Sequence, residues 1–281
     1  MHARVEQKIA FSVLFFCTVL VVLPVLVILT IITIKGSDAL GLDFIFSMPT
    51  DGMSAGGILP AILGTLYLVL LAVIFAVPLG VLSAIYLVEY GSDNFISRLI
   101  KLAIVNLAGV PSVVYGLFGL GIFVVFLGFG ASILSGSLTL GIMILPVIIT
   151  SSIEALESVP RSFRIVSLSL GASKWQTIRH TVLPHALPGI LTGTILGLGR
   201  AAGETAPILF TVAAFYLPTL PTSVFDQTMA LPYHLYVIST QVPGISEPTR
   251  FGTALVLLLL VLLMNLAAII LRYRFRKKKK W

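Results

Sequence analysis

Arg200 and Glu204 are the two residues of this chain whose types and spacing speak most directly of chemistry. They stand four apart in a stretch otherwise free of charge from His180 to Phe225. A planar guanidinium presents paired donors suited to bidentate recognition of a phosphate-type oxyanion. At i, i+4 both side chains are expected on one helix face, either as a self-neutralising ion pair or as a site for an anion. Arg placed before Glu is the weaker orientation for an intrahelical pair. Gly199, Gly203 and Pro207 mark a helix that is broken or closely approached there. Other chemistry finds no constellation. His2, His180, His185 and His234 have no metal-ligand spacing, and Cys17 is a single cysteine inside an apolar run. No Ser/His/Asp set falls in one element, and no G-x-x-x-x-G-K-[ST] string is present. The expectation is a non-catalytic chain with no metal and no cofactor of its own.

The elements that must carry Arg200 are apolar. Of 281 residues, 58 % are hydrophobic and 10 % charged, with a mean hydropathy of +1.09. Soluble domains carry about 25 % charge, so too few polar groups exist here to cover a wet surface. An ordinary cytosolic enzyme, a disordered chain and a nucleic-acid binder are excluded, and an all-α polytopic membrane protein remains. A bilayer core of about 30 Å needs about 20 apolar helical residues. Six spans result: residues 9–34, then about 58–87, 102–127, 137–153, 186–216 and 251–271. Gly128, Gly130, Ser132, Ser135, Gly136 and Ser137 mark the turn between the third and fourth. The first run is too long for a signal-peptide core and lacks a small-residue cleavage site. Pro78 is expected to kink the second span.

Charge sets the orientation. Arg4, Lys8, Arg98, Lys101, Arg161, Arg164, Lys174, Arg179 and the seven bases from Arg272 to Lys280 fall on one side of the six spans. Lys35 and Arg250 fall on the other. The positive-inside rule places the basic side, with both termini, Ser92 and Ser173, in the cytoplasm, and Gly41 and Gln241 outside. The terminal Arg-Lys cluster, residues 272–281, reads as an anchor rather than a headgroup site.

Residues 154–185 form the sizeable cytoplasmic loop. Pro160 suits a helix start, and that helix, through Phe163, Ile165, Val166 and Leu170, meets Gly171. Ser173 and Gln176 have capping-box spacing for a second helix, with Pro184 expected to end it. Trp175, Ile178 and Val182 recur along one side, Lys174 and Arg179 turned away. An amphipathic helix of this kind can lay its face in a partner's groove. Further on, Gly189, Gly193 and Gly197 make a small-residue ridge, open to packing within the chain or against a partner subunit.

Three strings carry a family resemblance. Leu168-Ser169-Leu170-Gly171-Ala172-Ser173 followed by Thr181-Val182-Leu183-Pro184 resembles the EAA loop of ABC-importer permeases, with Ile165-Val166-Ser167 standing where Glu-Ala-Ala is usual. Asn106 to Leu120 and Gly199 to Thr211 are similar to the phosphate-importer permeases, and Gly203-Glu204-Thr205-Ala206-Pro207 to their PstA-type subunit. The resemblance implies a six-span type I (MetI-like) permease domain over 58–271, preceded by residues 1–57 holding the N-terminal tail, first helix and outer segment. It implies inorganic phosphate as cargo, with Arg200, Glu204 and Thr205 on its path. Gly171, Ala172, Ser173 and Trp175 would dock an ATPase dimer (PstB-type) that binds the ATP and Mg. A homologous permease (PstC-type), a periplasmic phosphate-binding protein (PstS-type) and membrane lipid complete the implied partners in a bacterial inner membrane. A sulfate or molybdate permease is the alternative within the class. A secondary transporter would need inverted repeats, and none is seen.

Overall fold

The computed structural model describes residues 2–91 and 94–277; Ser92 and the end of the basic tail, 278–281, lie outside them. Within these residues the chain is helical almost throughout. Helix α1 (His2–Gly36) is followed by a short α2 (Leu42–Phe46) and a two-residue hairpin, β1 (Pro49–Thr50) with β2 (Ala55–Gly56). Helix α3 (Leu59–Ile85) starts with Pro60 in its first turn, where the missing N–H costs nothing. Pro78 lies inside it without ending it. A wider turn at Tyr86–Tyr90 finishes the span.

The third span differs from the straight helix expected over 102–127. It is a pair, α4 (Phe95–Ala108) and α5 (Ser112–Gly119, continued by a wider turn to Phe126), bent by 103°. Pro111 forces the break: it supplies no N–H and holds Gly109-Val110 out of a helix that could continue through it. The Tyr115 hydroxyl donates to the Leu107 carbonyl at 2.7 Å and pins the bend. Among the described residues five helices are long and apolar enough to cross a membrane, six spans with this pair counted as one.

Helix α6 (Ile133–Glu157) begins earlier than the expected 137. Ser132 caps it, its hydroxyl accepting from the Ser135 amide at 3.2 Å, so Ser135, Gly136 and Ser137 are helical rather than part of the turn. The loop helices α7 (Arg161–Ser169) and α8 (Lys174–Thr177) follow. Pro184 does not end the second helix: a wider turn over Ile178–Val182 carries α8 directly into α9 (Leu183–Gly203). Pro184 falls in the first turn of α9, where the wider turn accommodates its missing donor. The expected span 186–216 is likewise divided, α9 ending at Gly203 and α10 (Ala206–Thr211) beginning anew. Helix α11 (Leu231–Thr240) and α12 (Glu247–Lys277) complete the chain.

Two cores hold this together. The larger joins Leu68, Val69 and Ala72 of α3 to Leu140, Met143 and Ile144 of α6 and to Leu231, Val237 and Ile238 of α11. Helix α11 lies between the expected spans, and its buried Leu231 amide donates to Thr65 Oγ1 on α3 at 2.8 Å. The smaller core, at the end bearing the basic loops, joins Ala84, Ile85, Ala155, Leu156, Ile178, Val182 and Ala186. Small residues allow the close approach: a Cβ on Gly80 would lie 2.7 Å from Ile148. Helix α1 packs on α12 at its Gly36 end, where a Cβ would lie 2.6 Å from the Phe251 carbonyl oxygen, while its apolar window is unburied. It is tied to α12 through Lys35 and Glu247 at 2.6 Å.

Candidate functional site

Glu204 is not on the helix that carries Arg200. It occupies an extended position (φ −77°, ψ 135°) just past the end of α9, and Thr205 opens α10. The one-face arrangement expected from the spacing is therefore corrected. Gly203 loosens the last turn and Pro207 cannot continue it, so the two charges face each other across a helix break. Arg200 Nε lies 3.5 Å from Glu204 Oε1, with side chains 33 % and 19 % exposed. At that separation the contact is an attraction without a well-formed hydrogen bond. Among the described residues no hydrogen bond engages the Arg200 guanidinium, which leaves its donors to another acceptor.

The break is held from two sides. A Cβ on Gly116 of α5 would lie 3.0 Å from the Ala206 carbonyl and from Pro207, so the bent pair packs directly on α10. Two of the strings singled out in the sequence thus meet in space. On the inner side Glu204 faces Thr65, Leu68 and Val69 of α3 across a cavity of about 10 Å³, roughly the room of one water. Thr205 makes no side-chain capping bond and keeps its hydroxyl at the break. Broken helices at mid-membrane present polar groups where an unbroken helix has none.

The glycine ridge packs within the chain. Gly189 and Gly193 lie against Ala155 and Ser151 of α6, and Gly197 against Ile144 and Ile148. Gly199 meets the carboxamide of Asn265 on α12, whose buried Oδ1 has no partner among the described residues. Asn265 escaped the sequence reading because a single amide in an apolar run carries no spacing signal.

At the basic end, α7 and α8 form a helical hairpin. Gly171 takes φ +85° at its tip, and a Cβ there would meet nothing within 4 Å. Ser173 completes the capping box with Gln176 at 2.7 and 3.2 Å. The expected apolar stripe divides. Ile178 and Val182 are buried in the chain's own small core, whereas Trp175 is 48 % exposed. The accessible apolar surface is Trp175 with Ile165, Val166 and Leu170, the last 83 % exposed. Ala172 is half-buried beside the tip. His180 is exposed and His185 packs its ring against Phe163.

One pair was missed by sequence reading. Arg164 on α7 donates to Glu89 Oε1 from Nε and Nη2 at 3.0 and 2.7 Å, and to the Val159 and Leu156 carbonyls at 2.8 and 2.9 Å. Glu89 closes the charge-free run from Gly52 to Val88. An acid at a span end with no nearby base was the available signal. On the far side, Asp226 accepts from the Thr222 and Ser223 amides and the Thr222 hydroxyl, which hold its carboxyl below the ordinary range.

Comparison with known proteins agrees with this architecture. Residues 76–281 match the family model of the binding-protein-dependent transport system inner membrane component, and the chain belongs to that family, the permeases of ABC importers. Within it the chain falls among the PstA-type permeases. It is 34 % identical to the phosphate transport system permease protein PstA 1 of Mycobacterium tuberculosis, covering 100 % of this chain and 92 % of that one. It is 31 % identical to the probable ABC transporter permease protein YqgI of Bacillus subtilis, covering 95 % of each. Among solved structures, a chain of a bacterial alginate ABC transporter, in complex with its alginate-bound periplasmic protein, superposes with a TM-score of 0.68 at 15 % identity, covering 94 % of this chain and 93 % of that one. A chain of the inward-facing methionine transporter MetNI gives 0.60 at 15 %, covering 76 % and 94 %. These likenesses establish the MetI-like fold.

Proposed function

We propose that this chain is one half of the membrane pathway of an ATP-driven inorganic phosphate importer of a bacterial inner membrane. The observation that carries the reading is the α9–α10 break, where a guanidinium with free donors stands beside a loosely held carboxylate. A fixed guanidinium in a low-dielectric passage offsets part of the desolvation cost of an oxyanion. Glu204 orients Arg200 and favours an anion that carries a proton to donate, which phosphate at neutral pH does and sulfate does not. Thr205 adds a hydroxyl at the same level. The names of the relatives support phosphate over sulfate or molybdate as cargo.

In this reading the basic end, with both termini, faces the cytoplasm. Gly171, Ala172, Ser173 and Trp175 meet an ATPase dimer of the PstB type, which binds the ATP and Mg. A PstC-type permease completes the pathway, and a PstS-type protein delivers phosphate to the opposite face. Residues 58–271 form the permease domain and 154–185 its coupling loop. The test is uptake in vesicles holding the full complex. Labelled phosphate should accumulate with ATP, unlabelled phosphate should compete, and sulfate and molybdate should not. Accumulation of sulfate or molybdate in preference to phosphate would overturn the assignment.

A further inference from the structure

One short segment grips the docking hairpin at two points. Glu89 and Tyr90 are consecutive in the turn that ends α3. Glu89 takes both Nε and Nη2 of Arg164 from α7, and the Lys174 ammonium of α8 sits 4.7 Å over the Tyr90 ring. The two hairpin arms are themselves joined through the Ser167 and Thr177 hydroxyls at 2.9 Å. Arg164 also closes the end of α6 through the Leu156 and Val159 carbonyls. From this grip α3 runs toward the other site. Twenty-four residues separate Glu89 from Thr65, about 36 Å at a helical rise of about 1.5 Å. Thr65 and Leu68 form the wall opposite Glu204.

We infer that Glu89 and Arg164 are positioning residues that make the docking hairpin and α3 move as one piece, so that displacement of the Gly171 tip reaches the wall facing Glu204. The inference rests on the importer reading above. A buried ion pair is weak evidence for stability, since apolar side chains of the same volume would often hold as well. Here two guanidinium nitrogens converge on Glu89 Oε1 while Nη1 and Nη2 reach two carbonyls. These charge-assisted bonds fix direction and register across three elements, with side chains 18 % and 8 % exposed. The rival route is the unbroken chain from α8 into α9, which needs no Glu89 at all.

The full complex, reconstituted in proteoliposomes, separates the two routes. Glu89→Gln should leave the ATPase bound and hydrolysing, while phosphate taken up per ATP falls roughly tenfold, within the range of couplings carried by such contacts. Stimulation of hydrolysis by the binding protein should fall in parallel. A Glu89→Cys/Arg164→Cys pair in a Cys17→Ser background should be uncoupled when open and recover when bridged by a short thiol-reactive linker. Unchanged uptake per ATP in an intact Glu89→Gln complex would overturn the inference. So would loss of ATPase binding and uptake together, bridged or open, which marks a merely structural pair. Wild-type vesicles that hydrolyse ATP without accumulating phosphate would count against the cargo alone, because the stimulated hydrolysis still reports the strut.

Discussion

Two Arg–Glu pairs in this chain are held in opposite ways. Arg164 and Glu89 are close, nearly buried and supplemented by two backbone carbonyls. Arg200 and Glu204 are 3.5 Å apart, partly exposed, and set at a helix break. The first pair engages all three guanidinium nitrogens within the protein, which suits a fastener. The second keeps its donors for something else, which suits a group that must bind and release. The same two residue types thus divide into structure and work according to how completely their hydrogen bonds are satisfied.

The largest effect that would sharpen this contrast is at Arg200. Arg200→Gln should abolish uptake with the chain still present in the membrane, and Arg200→Lys should impair it, because the charge stays while the planar fork is lost. Transport assays with immunoblotting of the membrane fraction read both. Arg164→Ala should act through abundance instead. It strands the buried Glu89 carboxylate and two carbonyls at a cost of about 3 kcal/mol or more, visible as reduced chain in the membrane and a lower melting temperature. Equal abundance of wild type and Arg164→Ala would break the fastener half of the comparison.

Next in size is Trp175→Ala. Because Trp175 is half-exposed, its loss should spare folding and weaken ATPase docking by about 2 kcal/mol, as for a central aromatic at an interface. Co-purification of the ATPase measures it. Gly171→Glu meets no steric clash but strains a backbone at φ +85°, and should act on the same readout. The smallest effect is at Asp226. Its lowered carboxyl adds stability to the 222–226 turn that is fully present above the ordinary carboxylate value of about 3.9 and is lost as pH falls through the lower folded value. Asp226→Asn should therefore leave uptake at neutral pH near wild type. It should also remove the acid dependence of amide protection at Thr222 and Ser223 in hydrogen exchange.

Much of this contrast was legible in the residues alone, and the rest was hidden for definable reasons. The six-span count, the capping box at Ser173 and the break signalled by Gly203 and Pro207 are local patterns, and the described residues contain them. The 103° bend before Ser112 was missed because Gly109-Val110-Pro111 sits in a charge-free run long enough to read as one straight span. Pro184 misled because a wider turn preceding it lets the helix run on. Ile178 and Val182 have the period of an outward stripe, yet they serve the chain's own core. Periodicity locates an apolar face without naming what covers it. Glu89 and Arg164 lie 75 residues apart, a pairing that only the packing of α3 on α6 can bring about.

The central claim is that Arg200 serves the anion rather than Glu204, and one set of variants tests it most directly. Phosphate uptake and membrane abundance are measured for Arg200→Gln, Glu204→Gln and the neutral double variant. An anion role requires that uptake stay lost in the double variant although no stranded carboxylate remains, with abundance near wild type throughout. A pair that exists only to neutralise itself gives the opposite result: uptake recovers when both charges are removed together, and that recovery would contradict the account.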